Sequence, residues 1–295
     1  MIANARMYGV STEVAALWRE LLSSIIAATG PGIAAAGQGI ELLEHAAPAP
    51  IDELWGRADM AAVFMCGLPF ARAKPQPVPV AAPVPSPAAF GGEPRYWSEF
   101  VVRRDSGFAT VADAFGSRIA FTVPGSQSGC VAALSYLQAQ HGDFYSRGAP
   151  PLFAEIIAPT VTPVGALEAV VGGAAEIAPI DAYAFELLRV HRPDLAAAVR
   201  VVGRTAPTPI PLLVASPPAA ADGAGGIGVG EALAAAFLAA HLDNRVKPLM
   251  DRLLLERFVR PDPAAYRELA TRFTAATQFW HAHPLAAVAH PAFVW

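Results

Sequence analysis

The chain has 295 residues, 54% of them hydrophobic and 16% charged, with a formal net charge of −4. That length supports one large domain or two ordinary ones around a substantial core. Lysine occurs only at Lys74 and Lys247, and no basic cluster interleaves with aromatics, so nucleic acid is excluded as an expected partner.

Residues 6–10 read as a first short strand. Residues 1–6 lead at once into it, without the basic start, apolar centre and cleavage site of a secretory signal. A cytoplasmic chain and one numbered after removal of a leader both fit. Ser11-Thr12-Glu13 then starts a helix whose apolar stripe is Val14, Leu17, Leu21 and Ile25. Gly30-Pro31-Gly32 ends it. Residues 39–43 suggest a second strand or turn, 51–55 a short helix, and 61–66 a buried parallel strand. Six prolines punctuate residues 75–87, where interleaved Val78, Val80 and Val84 predict an extended edge segment. Pro, Gly or a charge interrupts every apolar run before it reaches membrane-spanning length.

Strands are expected at 96–102 and 117–123, with a short helix at 111–115 between them. The strand–helix alternation continues with strands at 156–158, 175–180 and 199–202, and helices at 164–171 and 183–189. Helices are expected at 231–241, 246–258 and 263–281. This order implies an α/β protein with mostly parallel sheets.

Cys66 and Cys130 sit in small, apolar surroundings and are expected as buried reduced thiols, with a single pairing left open. Gly223-Ala224-Gly225-Gly226-Ile227-Gly228 fits a dinucleotide pattern, but no strand feeds into it, so a flexible loop is expected. His281, His283 and His290 lack the spacing and acidic company of a metal site. No metal, cofactor or catalytic group is expected.

The informative stretch is 122–134, TVPGSQSGCVAAL. A strand stops at Pro124-Gly125, and Ser126, Gln127, Ser128 and Gly129 lead into an alanine-rich helix. Unpaired N–H groups at a helix start, with two hydroxyls and an amide, could cradle a tetrahedral oxyanion. The same residues also make an ordinary serine N-cap, and on this stretch alone both readings stand. The nucleophile pattern G-x-S-x-G is not met, because the serines of Gly125-Ser126-Gln127-Ser128-Gly129 fall one place off.

Taken in order, these motifs resemble the phosphate/phosphite/phosphonate-binding proteins of ABC importers, a branch of the periplasmic binding proteins. The resemblance rests on Gly9-Val10-Ser11-Thr12-Glu13, Phe64-Met65-Cys66-Gly67, Tyr96-Trp97-Ser98, Asp105-Ser106 and Ser126-Gln127-Ser128-Gly129. Ala174-Ala175-Glu176-Ile177-Ala178 with Asp181, and the stretch TAPTPIP at 205–211, complete it. It implies two α/β lobes of the type II arrangement, a hinge with two chain crossings and a ligand cleft between the lobes. Residues 1–97 plus 206–295 would form the first lobe and 98–205 the second. Tyr8 and Cys66 would line the first lobe, and Ser126, Gln127, Ser128, Gly129, Asp181 and Tyr183 the second. Asp181 could equally cap the helix that follows it.

The positions where the family holds a ligand amine fall at Tyr183 and Ile210, and its aromatic tyrosine at Cys66, so a smaller or more apolar ligand than an aminoalkyl phosphonate is expected. The resemblance implies a monomeric, periplasmic solute-binding protein with an ABC permease as partner. A cytoplasmic enzyme or a sensor on the same fold is the alternative.

Overall fold

Ser11 Oγ accepts from the backbone N–H of Val14 at 3.2 Å and caps the helix Thr12–Ala28. The stripe Val14, Leu17, Leu21 and Ile25 is buried, as helical spacing predicts. The strand before it lies earlier than expected, at Ile2–Asn4. Asn4 ends that strand because its Oδ1 accepts from the N–H of Arg6 at 2.9 Å. The chain then makes a short 3₁₀ turn, Arg6–Tyr8.

The structure, a computed structural model, describes residues 1–29, 39–145, 150–220 and 228–288. It divides into two units, Met1–Arg95 with Pro209–Tyr266 and Tyr96–Thr208 with Arg267–Trp295. The chain therefore passes between units three times, at 95/96, 208/209 and 266/267, where the sequence suggests two passages. The difference lies in the last stretch, which was expected in the first lobe. Trp280 Nε1 donates to Leu134 O at 3.1 Å, and Ala286–Val288 pairs in parallel with Phe153–Ile157, tying it to the second unit. The glycine-rich stretch at 223–228 falls almost wholly outside the described residues, as does His290.

The first unit holds a six-stranded sheet in the order Leu255–Val259, Val78–Pro85, Leu212–Ala215, Met60–Met65, Ile2–Asn4, Glu41–Leu42. The Ile2–Asn4 strand is parallel to both of its neighbours, and the other pairings are antiparallel. The sheet is mixed rather than mostly parallel.

The proline-rich strand Val78–Pro85 is not at an edge. It pairs with Leu212–Ala215 on one side and Leu255–Val259 on the other. Pro79, Pro83 and Pro85 supply no N–H, and a register shift in each pairing accommodates them inside the sheet. The expected helix 246–258 divides into a helix, Lys247–Arg252, and the strand Leu255–Val259. Leu254 takes a left-handed φ of 54° at that break.

The second unit holds a second mixed six-stranded sheet: Val199–Arg204, Ser98–Arg103, Ile177–Asp181, Arg118–Ala120, Phe153–Ile157, Ala286–Val288. Ser98–Arg103 runs antiparallel to both of its neighbours. The parallel strands Ile177–Asp181 and Arg118–Ala120 lie side by side; the first runs straight into the helix Ala182–His191, and the second leads to the turn Gln127–Val131. This adjacency brings the 126–129 turn and Asp181 together. Among the described residues, no helix is long and apolar enough to cross a membrane.

Candidate functional site

After the strand Arg118–Ala120 the chain enters a wide turn, Gln127–Val131, and then the helix Ala132–Tyr145. The turn is of the π type: Val131 N–H reaches back five residues to Ser126 O at 3.0 Å. Such turns are frequent at functional sites. Ser126 Oγ accepts from the N–H of Gly129 at 3.0 Å, which is N-cap geometry. The chain folds back on itself here, with Thr122 N–H donating to Gly129 O at 3.2 Å.

That closure explains the glycine. A Cβ on Gly129 would lie 2.1 Å from Thr122 Oγ1 and 2.7 Å from its Cγ2, and Thr122 is itself buried. At Gly125, by contrast, a Cβ would meet nothing within 4 Å. The start of the turn keeps the partial positive charge of a helix N-terminus.

Ser128 is buried and joins two strands of the sheet. Its carbonyl accepts from Ser98 Oγ at 2.7 Å, and its Oγ lies 3.3 Å from Asp181 Oδ2. Asp181 ends the strand Ile177–Asp181 and caps the helix Ala182–His191, its Oδ1 accepting from Ala184 N–H at 2.9 Å. The helix-cap role weighed for Asp181 from sequence is therefore present, and the residue also contacts the turn through Ser128. Asp181 is 4% exposed, and burial pushes its pKa up to about 7, against the opposing pull of Ala184 N–H and Ser128 Oγ. Tyr183 is wholly buried, and burial, then the nearby Asp181 charge, pushes its phenol pKa up.

Gln127 is also buried, and it reaches a second feature of this unit. A cavity of about 610 Å³ is lined by Gln127, Tyr136, Arg204, Thr205, Thr208 and Arg272. The Arg204 guanidinium lies 5.7 Å from the centre of the Trp97 ring, whose Nε1 donates to Glu99 Oε1 at 2.6 Å. Ser98 anchors this region from below, its N–H donating to Thr205 Oγ1 at 3.0 Å. Ser98, Glu99 and Arg204 carry no role in the sequence reading. Ser98 stood within the Tyr96-Trp97-Ser98 motif, but nothing in the sequence tied it to residues 128 and 205.

The two candidates in the first unit have a different character. Tyr8 is 1% exposed and packs 5.4 Å from Phe64, edge to face, and 6.3 Å from Trp18. Cys66 is a buried thiol outside any disulfide, at the C-terminal end of Met60–Met65, where the helix Gly67–Arg72 begins. Cys130 is also buried and outside any disulfide, and desolvation raises its pKa.

A cavity of about 310 Å³ in the first unit is lined by Asn4, Arg6, Trp18, Arg19 and His45 among others. Arg6 Nη1 meets His45 Nδ1 and Ala49 O, each at 2.7 Å, and burial lowers the Arg6 pKa. From sequence, Arg6 is expected only as the start of a strand.

Several solved structures share this fold. PhnD1 from Prochlorococcus marinus, in complex with methylphosphonate, aligns with a TM-score of 0.70 at 15% identity, covering 93% of this chain and 96% of that one. A binding-protein component of an ABC phosphonate transporter from Pseudomonas aeruginosa aligns with a TM-score of 0.69 at 15% identity, covering 95% and 88%. A Xanthomonas citri protein bound to ATP gives 0.61 at 18% identity, covering 94% and 98%. At these identities the likeness shows the two-lobe periplasmic-binding-protein fold. No curated protein matches the chain.

Residues 54–266 match the family model described as the phosphonate periplasmic substrate-binding protein of ABC transporters. That match spans most of the chain and includes the proline-rich strand, the 126–129 turn and Asp181. Members of this family bind a solute outside the cytoplasm and deliver it to an ABC permease. The chain belongs to the family of phosphonate-binding periplasmic substrate-binding proteins of ABC transporters.

Proposed function

We propose that the chain captures a small tetrahedral oxyanion, of the phosphonate or phosphate class, at the 126–129 turn and delivers it to an ABC importer without chemistry. The observation that carries this reading is the turn itself. A helix start with its partial positive charge is shaped by the Ser126 cap and by the close packing of Gly129 on Thr122. Ser128 and Gln127 stand beside it as hydrogen-bonding side chains. Asp181 contacts the turn through Ser128, and Asp181 and Tyr183 would line the second lobe's side of the site. Tyr8 and Cys66 would contribute an apolar wall from the first lobe, with closure of the two lobes over the ligand. The amine-holding groups are replaced, so a simple alkyl phosphonate, phosphite or phosphate fits better than an aminoalkyl phosphonate. A monomer in the periplasm is the expected working form.

The test is a thermal-shift screen of the native chain and of the Ser126→Ala/Ser128→Ala double variant against phosphate, phosphite, methylphosphonate, aminoethylphosphonate and sulfate. A ligand at about a hundred times its Kd adds roughly 2.7 kcal/mol of stability. The native chain is expected to respond to one or two tetrahedral anions, and the double variant to lose that response while still folding. An unchanged response in the double variant removes the turn from the site.

The Ser128–Asp181 contact at 3.3 Å also has the outline of a nucleophile and base, which an enzyme on the same fold would use. Turnover of a phosphate ester, abolished by Ser128→Ala, would establish that second reading. Intact ester after prolonged incubation favours capture.

A further inference from the structure

The hydroxyl of Ser128 has one hydrogen, and the hydrogen-bond geometry offers it an acceptor in Asp181. Asp181 Oδ2 is the acceptor within reach at 3.3 Å when the carboxylate is ionised. With its hydrogen turned to Asp181, Ser128 Oγ can offer an incoming anion only lone pairs. An oxyanion carrying its own proton, such as a hydrogen phosphonate, can donate to those lone pairs. A fully ionised oxyanion cannot, and it meets a buried negative charge behind the hydroxyl as well. If Asp181 is protonated instead, it donates to Ser128 Oγ, and the Ser128 hydrogen is released toward the ligand.

We infer that Asp181, acting through Ser128, selects the protonation state of the bound anion: one proton must be present along the chain formed by ligand, Ser128 and Asp181. The inference rests on the anion reading of the turn and deepens it. A doubly charged anion is taken up together with a proton, and a singly protonated anion binds as it stands. No bond other than O–H is made or broken.

The surroundings of Asp181 favour this arrangement. From its own helix it faces the N–H of Ala184 and the phenol-bearing residue Tyr183, which burial keeps neutral. From the turn it faces Ser128, and across the sheet its partner is Ser98, which is not titratable. Glu99, one residue along that strand, is in register with Ile180 and holds Trp97 Nε1. Among the described residues, no cation offsets the Asp181 charge. Burial therefore sets its titration near neutrality, at about 7, where the proton can be exchanged with a ligand.

The experiment is calorimetric titration with sulfate and with methylphosphonate between pH 5.5 and 8.5, using the native chain, Asp181→Asn and Ser128→Ala. Sulfate carries no proton in this range. Its Kd with the native chain is expected to be flat on the acid side and to weaken about tenfold per pH unit above pH ~7. Methylphosphonate, which can bring its own proton, should lose less over the same range. Asp181→Asn keeps the cap and fixes the neutral hydrogen-bond pattern, so it should hold sulfate with the acid-side Kd at every pH. Ser128→Ala should erase the difference in pH profile between the two anions.

A flat sulfate profile in the native chain overturns the inference, as does an unaltered slope in Asp181→Asn. Failure of Asp181→Asn to bind sulfate while it binds methylphosphonate also overturns it. If neither anion binds the native chain at any pH, the anion site itself falls, and the inference with it.

Discussion

Ser128 and Asp181 in the second unit are buried much as Tyr8 and Cys66 are in the first, and yet the two sets differ in kind. In the second unit, Ser128 and Asp181 are polar groups hydrogen-bonded to each other at 3.3 Å, and Ser126 and Asp181 each accept from a backbone N–H at 2.9–3.0 Å. In the first unit, Tyr8 packs between Phe64 and Trp18, and Cys66 is buried. Low exposure alone therefore says little about a site. In one region, hydrogen-bond direction is the variable that function can use. In the other, it is volume and shape.

The comparison is broken most directly at Tyr8. Tyr8→Ala removes a ring packed on Phe64 and Trp18, and such truncations cost about 3–5 kcal/mol. Denaturant unfolding should show a loss of that order whether or not ligand is present. A Tyr8→Ala chain that keeps its stability but loses ligand response would make Tyr8 a site residue and erase the contrast with the polar turn.

Asp181 sharpens the contrast through pH. The unfolded chain releases this proton near pH ~3.9, whereas the folded chain keeps it until pH about 7. Between those values the folded state binds more protons, so this group makes stability fall as pH rises, by up to roughly 4 kcal/mol across the window, and adds nothing further above it. Asp181→Asn removes that contribution. The difference in unfolding free energy between the native chain and the variant should therefore change steadily from pH 4 to 7 and then level off. A pH-independent difference would mean that the carboxylate is not buried in the folded protein.

How much of this was legible in the sequence follows from range. The cap at Ser11, the stripe through Val14 to Ile25 and the serine turn are set by neighbours within a few residues, and their pattern predicts them. The proline-rich strand was read as an edge because proline removes N–H donors. What places Val78–Pro85 inside the sheet is its pairing with residues 212–215 and 255–259, which no local pattern contains. The last helix was misassigned for the same reason, since the Trp280 bond to Leu134 spans 146 residues. At the site, Asp181 and Ser128 could each be singled out by residue type. Their contact, and the Ser98 hydroxyl beneath it, depend on strand order in the sheet.

The smallest expected effect discriminates most finely, because it compares two glycines four residues apart. Gly129→Ala forces a methyl group against Thr122, whose Cβ would lie at 2.9 Å and Oγ1 at 2.1 Å. Overpacking of this kind costs typically 1–3 kcal/mol, and relief here requires the turn itself to move. Gly125→Ala meets open space and should change stability by only a few tenths of a kcal/mol. Shortening the neighbour should rescue the first variant: Gly129→Ala with Thr122→Ala is expected to recover part of the lost stability, because Thr122 supplies the nearest atoms. If the rescued chain also regains its response to anions, then the glycine serves to shape the turn. If stability returns and the response does not, the space at Gly129 is itself used by the ligand, and the polar region is defined by volume as much as by hydrogen bonds.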